Sequence, residues 1–362
     1  MLSYQIETFG APLAQVLRAT PEPQGRQVLL RVNSCGVCHS DLHLADGYFD
    51  LGNGAKIDLS RSVAPPRTLG HEIAGTVVAL GADVTAEQGM AVGDRRVVYP
   101  WIGCGACTLC VAGNEHLCNA PRALGVQRDG GFSDHVMVPD AKYLLAFDPL
   151  PDDQACTYAC SGLTAYSALK KCAPLAPTDL LLVIGAGGVG LSGIRLAAEV
   201  LGVRAIVAET DPGKWDLARD AGAVDVIDPS AEGAAKALVK ATGGGVAAAI
   251  DFVGAGASFA FGLSALRKAG TLVSVGLFGG ATPVSPAMIA MKAVSVQGSY
   301  VGSLAEMHEL MAIARQGRLP GLPLSTRPLS EAVAAMADLK AGRVRGRTIL
   351  RPRDGSDALS GS

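Results

Sequence analysis

Residues 180–201 read LLLVIGAGGVGLSGIRLAAEVL, and this stretch decides the fold. Leu180 to Ile184 is an uncharged apolar run of the length that suits a buried strand. It leads directly into Gly185-Ala186-Gly187-Gly188-Val189-Gly190, the pattern G-x-G-x-x-G, and apolar residues then recur at helical spacing. The first glycine permits a tight turn, the second lets a pyrophosphate approach the backbone, and the third packs helix against strand. A helix starting there presents unpaired N–H groups and a partial positive charge to phosphates. Alone, the hexapeptide is equally a glycine-rich turn without a ligand.

Its surroundings strengthen the reading. Glu209 ends the next strand, 19 residues after Gly190. A carboxylate there accepts hydrogen bonds from ribose hydroxyls and repels a 2′-phosphate, which predicts NAD(H) rather than NADP(H). Lys214 either reaches the same ribose or is a solvated helix-surface lysine. Strands are expected at 180–184, 205–208, 225–227, 248–252, 271–275 and 295–298, with helices at 188–201, 214–221 and 257–268. This alternation predicts an α/β fold with a doubly wound parallel sheet. Helical stretches at 303–316 and 330–340 and a strand at 348–351 are too short for a domain and should return to the N-terminal part. Residues 354–362 are small and polar and are expected to fray.

Towards the N-terminus the chain reads as β-rich, with short runs at 27–33, 73–80 and 95–99 bounded by Gly, Asp or Pro. The length of 362 residues exceeds one comfortable core. Residues 1–161 and 301–362 are therefore expected to form one domain, with a nucleotide-binding domain at 162–300 between them. The 45 glycines are scattered rather than periodic, which argues for turns and close backbone contacts rather than a collagen-like or disordered polymer. A net charge of −2 gives no reason to expect a nucleic acid or an anionic membrane as partner. The longest uncharged apolar run, 180–194, is short for a bilayer and interrupted by five glycines. With no secretory pattern at the start, a soluble cytoplasmic protein is expected. Nine cysteines in a reducing compartment point to metal rather than disulfides.

Four of them form Cys104-x2-Cys107-x2-Cys110-x7-Cys118, punctuated by Gly103, Gly105 and Gly113. Four thiolates close a tetrahedral zinc shell and leave no place for substrate, so this site is expected to be structural. A free-thiol loop, a disulfide pair and an iron–sulfur cluster are the rivals, the disulfide suiting the compartment least. His116 lies within the last interval, but four cysteines already fill the shell. Three further segments carry metal-ligand types: Cys38-His39-Ser40-Asp41-Leu42-His43, Gly70-His71-Glu72 and Cys160-Ser161-Gly162-Leu163-Thr164. Two thiolates, one imidazole and a water make an open zinc site that polarises a bound alcohol and lowers its pKa. Spacing does not show that they converge, and each residue alone also reads as core.

In this order and approximate spacing, the motifs give a chain that resembles the zinc-containing medium-chain alcohol dehydrogenases over nearly its whole length. The resemblance implies a β-rich GroES-like catalytic domain plus a Rossmann domain, the active site in the cleft, NAD(H) as coenzyme and two zinc ions per chain. It implies Cys38, His71 and Cys160 as catalytic zinc ligands and zinc on the four-cysteine lobe. Glu72 then resembles the glutamate beneath the metal, and Asp41 the carboxylate that orients the ligand histidine. Ser40 and His43 resemble a proton relay to solvent. Arg347 and His39 resemble phosphate contacts, though both also read as surface charges. Thr164 and the backbone of Val275-Gly276-Leu277 resemble further coenzyme contacts. Trp101 walls the substrate pocket or is a core aromatic.

The implied substrate is a small-molecule alcohol, primary or secondary, with an aldehyde or ketone as product. The implied assembly is a homotetramer, with a dimer as second choice. The rivals are a metal-independent enone or quinone reductase of the same superfamily and a nucleotide-binding protein without catalysis. Segment 48–67 is longer than in many relatives and reads as a substrate-side loop or a surface insertion. Ser40 stands where many relatives have threonine, which leaves room for a bulkier or secondary alcohol. Cys156 rivals Cys160 as a ligand, while Cys35 and Cys172 read as packing residues.

Overall fold

Val28–Gly36 organises the first part of the chain, because its aliphatic residues are buried nearly throughout. The computed structural model describes residues 1–85, 89–319 and 321–352, so the segment expected to fray, 354–362, lies outside the described residues. Val28–Gly36 pairs antiparallel with Glu72–Leu80, from Val28↔Leu80 to Gly36↔Glu72, and with His135–Val138. Its far end pairs antiparallel with Arg347–Arg351 through Ile349↔Gly36, and that last strand pairs in parallel with Leu324–Pro328. Arg95–Val98 and Leu144–Leu145 complete a seven-stranded sheet. A smaller sheet joins Leu2–Ile6 to Ala14–Leu17 and Arg67–Thr68. Met1–Tyr48, Asp58–Cys160 and the chain from Ser303 onward form one compact unit.

The second unit comprises Phe49–Ile57 and Ser161–Gly302. Its six-stranded parallel sheet runs Asp225–Ile227, Arg204–Ala208, Leu180–Ile184, Val246–Asp251, Leu266–Ser274, Ser295–Gly298, which is chain order 3-2-1-4-5-6. The order reverses beside Leu180–Ile184, so the carboxyl end of that strand is the topological switch point of a doubly wound fold. Leu182, Ile184, Ile206, Ala249, Phe261, Ala265 and Leu272 fill the core between sheet and helices. Helix Gly188–Leu201 has the limits its spacing predicts. The helix expected at 257–268 instead ends at Ala265, and the next strand starts at Leu266. Leu266 is fully buried and pairs with Val246, so tertiary burial overrides local helix preference. Helix Ala234–Ala241, of which only Leu238 is buried, is not among the helices expected from the sequence.

The unit boundary also differs from the sequence expectation, because Phe49–Ile57 groups with the second unit. Tyr48–Gly52 and Ala55–Asp58 form a two-stranded hairpin around Asn53 (φ 53°) and Gly54 (φ 80°), the backbone that an Asn-Gly turn supplies. It seats closely on residues 279–281. A Cβ on Gly52 would lie 2.4 Å from the Ala281 nitrogen, and one on Gly279 would lie 2.6 Å from the Asp50 carbonyl oxygen. Among the described residues, no helix is long and apolar enough to cross a membrane.

Candidate functional site

Cys38 caps helix His39–Asp46, and its backbone N–H donates to Asp41 Oδ2 at 2.9 Å. Asp41 is completely buried; its other oxygen accepts from the Gly70 N–H at 3.3 Å and lies 3.2 Å from His71 Nδ1. One carboxylate thereby joins the cysteine segment to the histidine segment. Gly70 adopts φ 91°, and a Cβ there would lie 2.4 Å from the Phe132 ring and 2.8 Å from Cys35 Sγ. Cys35 therefore packs beneath the turn that presents His71.

Cys160 arrives on a π-helical turn, Tyr158–Gly162. The wider turn changes the direction in which Cys160 leaves the helix relative to Cys156. Cys156 Sγ instead donates to the Asp153 carbonyl at 3.3 Å. Trp101 Nε1 donates to the Ala159 carbonyl at 2.9 Å, and its ring centroid lies 5.2 Å from that of His71. Trp101 is only 5% exposed, so it braces two of these segments from within the core.

One ligand atom from each of Cys38, His71, Glu72 and Cys160 lies within 4.8 Å of the others, and all four residues are buried. The Cys160 thiol and then the His71 imidazole hold Cys38 well below the ordinary thiol value, against the effect of burial. The hydrogen bond with Cys38, then burial and the Cys38 charge, hold Cys160 well above it. His71 Nε2 is buried without a hydrogen-bond partner among the described residues. Two sulfur donors converging on a partnerless imidazole nitrogen fit a zinc ion with one position left open. Glu72 is tied to Arg347 by an ion pair. Burial raises the Glu72 carboxyl, and the Arg347 guanidinium offsets only part of that rise. A Cβ on Gly36 would lie 2.1 Å from Glu72 Oε2, so glycine at this position makes room for the carboxylate. Arg347 is 4% exposed and pairs with Glu72, a partner beyond those the sequence reading names.

In the cysteine lobe, Sγ–Sγ distances are 3.5 Å for Cys107–Cys110, 3.8 Å for Cys107–Cys118 and 3.9 Å for Cys104–Cys110. These are too long for disulfides. A tetrahedral zinc with Zn–S bonds of about 2.3 Å sets its ligands about 3.8 Å apart. The backbone N–H groups of Ala106 and Cys107 donate to Cys104 Sγ and draw its thiol down to about 6. Glu115, singled out by no sequence signal, accepts from the Gly103 N–H, Lys142 Nζ and Tyr143 OH and fastens the lobe to the sheet.

In the second unit the three fingerprint glycines differ in physical role. Gly185 takes φ 92°, and a Cβ on Gly190 would lie 1.8 Å from the Gly185 carbonyl oxygen. A Cβ on Gly187 would meet nothing within 4 Å, so this glycine leaves open space before helix Gly188–Leu201. Val189 lies in the first turn of that helix. Glu209 accepts from the Ala186 N–H at 2.7 Å and from the Asp211 N–H at 2.9 Å. Lys214 Nζ stands 3.9 Å from Asp211. The Val275 and Gly276 N–H groups both donate to the Asp251 carbonyl, and Leu277 is 42% exposed. Thr164 is buried in the first turn of helix Leu163–Cys172. An open helix N-terminus at the switch point, with a carboxylate on the neighbouring strand, fits a dinucleotide.

Residues 24–150 match the alcohol dehydrogenase GroES-like domain, and residues 188–316 match the zinc-binding dehydrogenase family. A NAD-dependent alcohol dehydrogenase of Saccharolobus solfataricus is 36% identical over 354 residues, which cover 97% of this chain and 100% of that protein. The chain belongs to the zinc-containing medium-chain alcohol dehydrogenases. Among solved structures, the alcohol dehydrogenase from Aeropyrum pernix superposes on this family member with a TM-score of 0.86 at 29% identity, covering 97% of this chain and 100% of that one. A cobalt- and zinc-bound alcohol dehydrogenase from Pyrobaculum aerophilum gives a TM-score of 0.83 at 25% identity, covering 97% and 99%. The two donor sets differ in kind: four thiolates would fill a tetrahedral zinc shell, whereas two thiolates and an imidazole would leave one position open.

Proposed function

We infer that this protein is a zinc-dependent alcohol dehydrogenase that moves a hydride reversibly between a primary or secondary alcohol and NAD, giving an aldehyde or ketone and NADH. The observation that carries the reading is the gathering of Cys38, His71 and Cys160 in a chain that also holds the dinucleotide fingerprint. When bound, the zinc polarises the alcohol oxygen and lowers its pKa, and NAD accepts the hydride. Cys38 and Cys160 supply the anionic donors, and Asp41 fixes the His71 ring so that Nε2 serves as the third. Ser40 and His43 lie three residues apart on one helix, where the hydroxyl takes the alcohol proton and the imidazole passes it to solvent. Glu209 and Lys214 hold the adenosine ribose, and Gly185, Gly187, Gly188, Val189 and Gly190 receive the pyrophosphate. Val275, Gly276, Leu277 and Thr164 serve the nicotinamide side. His39, exposed at the start of its helix, remains the candidate phosphate contact. Arg347 holds Glu72 and is the second candidate phosphate contact.

A metal-independent reductase or a non-catalytic binding protein has no use for three buried zinc donors. Metal analysis separates these readings: about two zinc per chain is expected here. Cys38→Ser should leave about one zinc, abolish alcohol-dependent NADH formation and preserve NADH binding. Activity equal to wild type would overturn the assignment.

We further propose a homotetramer, with a dimer as the smaller alternative. In support, every residue of edge strand Ser295–Gly298 is exposed, and Met288, Met291, Val296 and Tyr300 leave apolar surface around it. The cytoplasm is our proposed compartment, supported by nine free cysteines, six in the two zinc-donor sets and three buried in the core.

A further inference from the structure

Trp215 opens helix Trp215–Asp220, six residues after Glu209, and its indole N–H donates to the Glu209 carbonyl at 3.0 Å. Glu209 is held in three other ways. Its N–H donates to the Ile227 carbonyl at 3.0 Å, and its carboxylate accepts from the Ala186 and Asp211 N–H groups. Those three bonds draw on neighbouring backbone alone. The Trp215 indole is the one side chain among these partners, and it grips the main chain of the residue that bears the carboxylate. Arg219 stands 6.0 Å over the indole ring and backs it from the next turn of its helix.

The intervening residues are Thr210, the capping Asp211 and a single 3₁₀ turn, Pro212–Lys214, rather than regular helix or strand. The indole bond closes this connection back onto the end of strand Arg204–Ala208. Glu209 is 7% exposed, and its oxygens already span from the glycine loop to the Asp211 turn. Discrimination between a ribose hydroxyl and a ribose phosphate depends on the place of this carboxylate. A small displacement lengthens its hydrogen bonds to the hydroxyls and relaxes its repulsion of a phosphate.

We propose that Trp215 is a positioning residue for coenzyme selectivity: by fixing the Glu209 main chain, it sets how strongly NAD(H) is preferred over NADP(H). The proposal rests on the ribose role assigned to Glu209. Trp215→Phe keeps an aromatic ring and deletes the donor. Dissociation constants for NADH and NADPH, measured by calorimetry on the zinc-loaded protein, should show the NADH preference falling about fivefold in this variant. Trp215→His, which retains a ring N–H, should keep a preference closer to wild type and guards against a folding defect in the phenylalanine variant. If both variants weaken the two coenzymes equally and the ratio stays put, Trp215 merely packs and the proposal is overturned. Glu209→Ala separates the two levels. A ratio unmoved by Glu209→Ala defeats the ribose reading itself, whereas a ratio moved by Glu209→Ala and not by Trp215→Phe defeats only the role of the indole.

Discussion

A side chain in this protein owes its chemistry to a few neighbours, and His43 is the clearest case. Burial lowers the His43 pKa below its ordinary value; Cys38 and Asp46 pull it upward and Lys340 downward, and the net shift is down. The imidazole is therefore neutral at neutral pH and gains its proton only under more acid conditions. If it relays a proton during alcohol oxidation, the rate should rise with pH through a value under about 6.5. His43→Gln should lower kcat by an order of magnitude or more and flatten that acid limb. An unchanged acid limb in the variant would remove His43 from the relay. Residue types at this scale were legible in the sequence: the four lobe cysteines stand out by chemistry and spacing, whereas Cys38 and His71 are assigned only by the family resemblance. Partnerships were not, because the pairing of Arg347 with Glu72 and of Trp101 with the Ala159 carbonyl joins segments far apart in the chain.

Secondary elements bring such segments together through close backbone approach. The Asn53-Gly54 hairpin can seat on residues 279–281 only because Gly52, at φ 82°, has no side chain. Gly52→Val would force a branched Cβ against the Ala281 backbone in a conformation that costs about 1–3 kcal/mol. The loop that follows Val275-Gly276-Leu277 should then loosen, with NADH affinity reduced several-fold and zinc content unchanged. Titration of NADH fluorescence checks the first and metal analysis the second; full affinity in the variant would show the contact to be idle.

Asp179 offers a stability test for the parallel sheet. It accepts from the Ala176 N–H at 2.9 Å and from Arg267 at 2.6 Å, which ties the approach to Leu180–Ile184 to the start of Leu266–Ser274. Burial raises the Asp179 pKa, but these partners outweigh it and hold the carboxyl below its usual range. A carboxylate depressed in the folded state stabilises above its unfolded value, and that contribution disappears as pH falls through the folded value. Asp179→Asn should therefore cost about 1 kcal/mol at neutral pH, discounted for the exposed arginine, and the gap to wild type should close under acid conditions. Denaturant melts across pH measure this, and a gap independent of pH would contradict it.

For the whole molecule, the exposed edge strand makes self-association testable. Val296 is 44% exposed on Ser295–Gly298, so Val296→Asp should place a charge in the proposed contact and yield a smaller species in sedimentation velocity. Sedimentation equal to wild type would remove this edge from the interface. Local patterns in the amino-acid sequence were enough to establish the dinucleotide turn, the four-cysteine lobe and the alternating strands and helices. Each of these depends on residues within one turn, one loop or one period. The family motif after Cys160 already favoured it over Cys156; folding alone decided the π-turn that separates the two, that Phe49–Ile57 sits with the nucleotide unit, and that Trp215 grips Glu209. Those outcomes follow from the π-turn, strand pairing and close glycine contacts, which depend on distances through space that spacing along the chain does not encode.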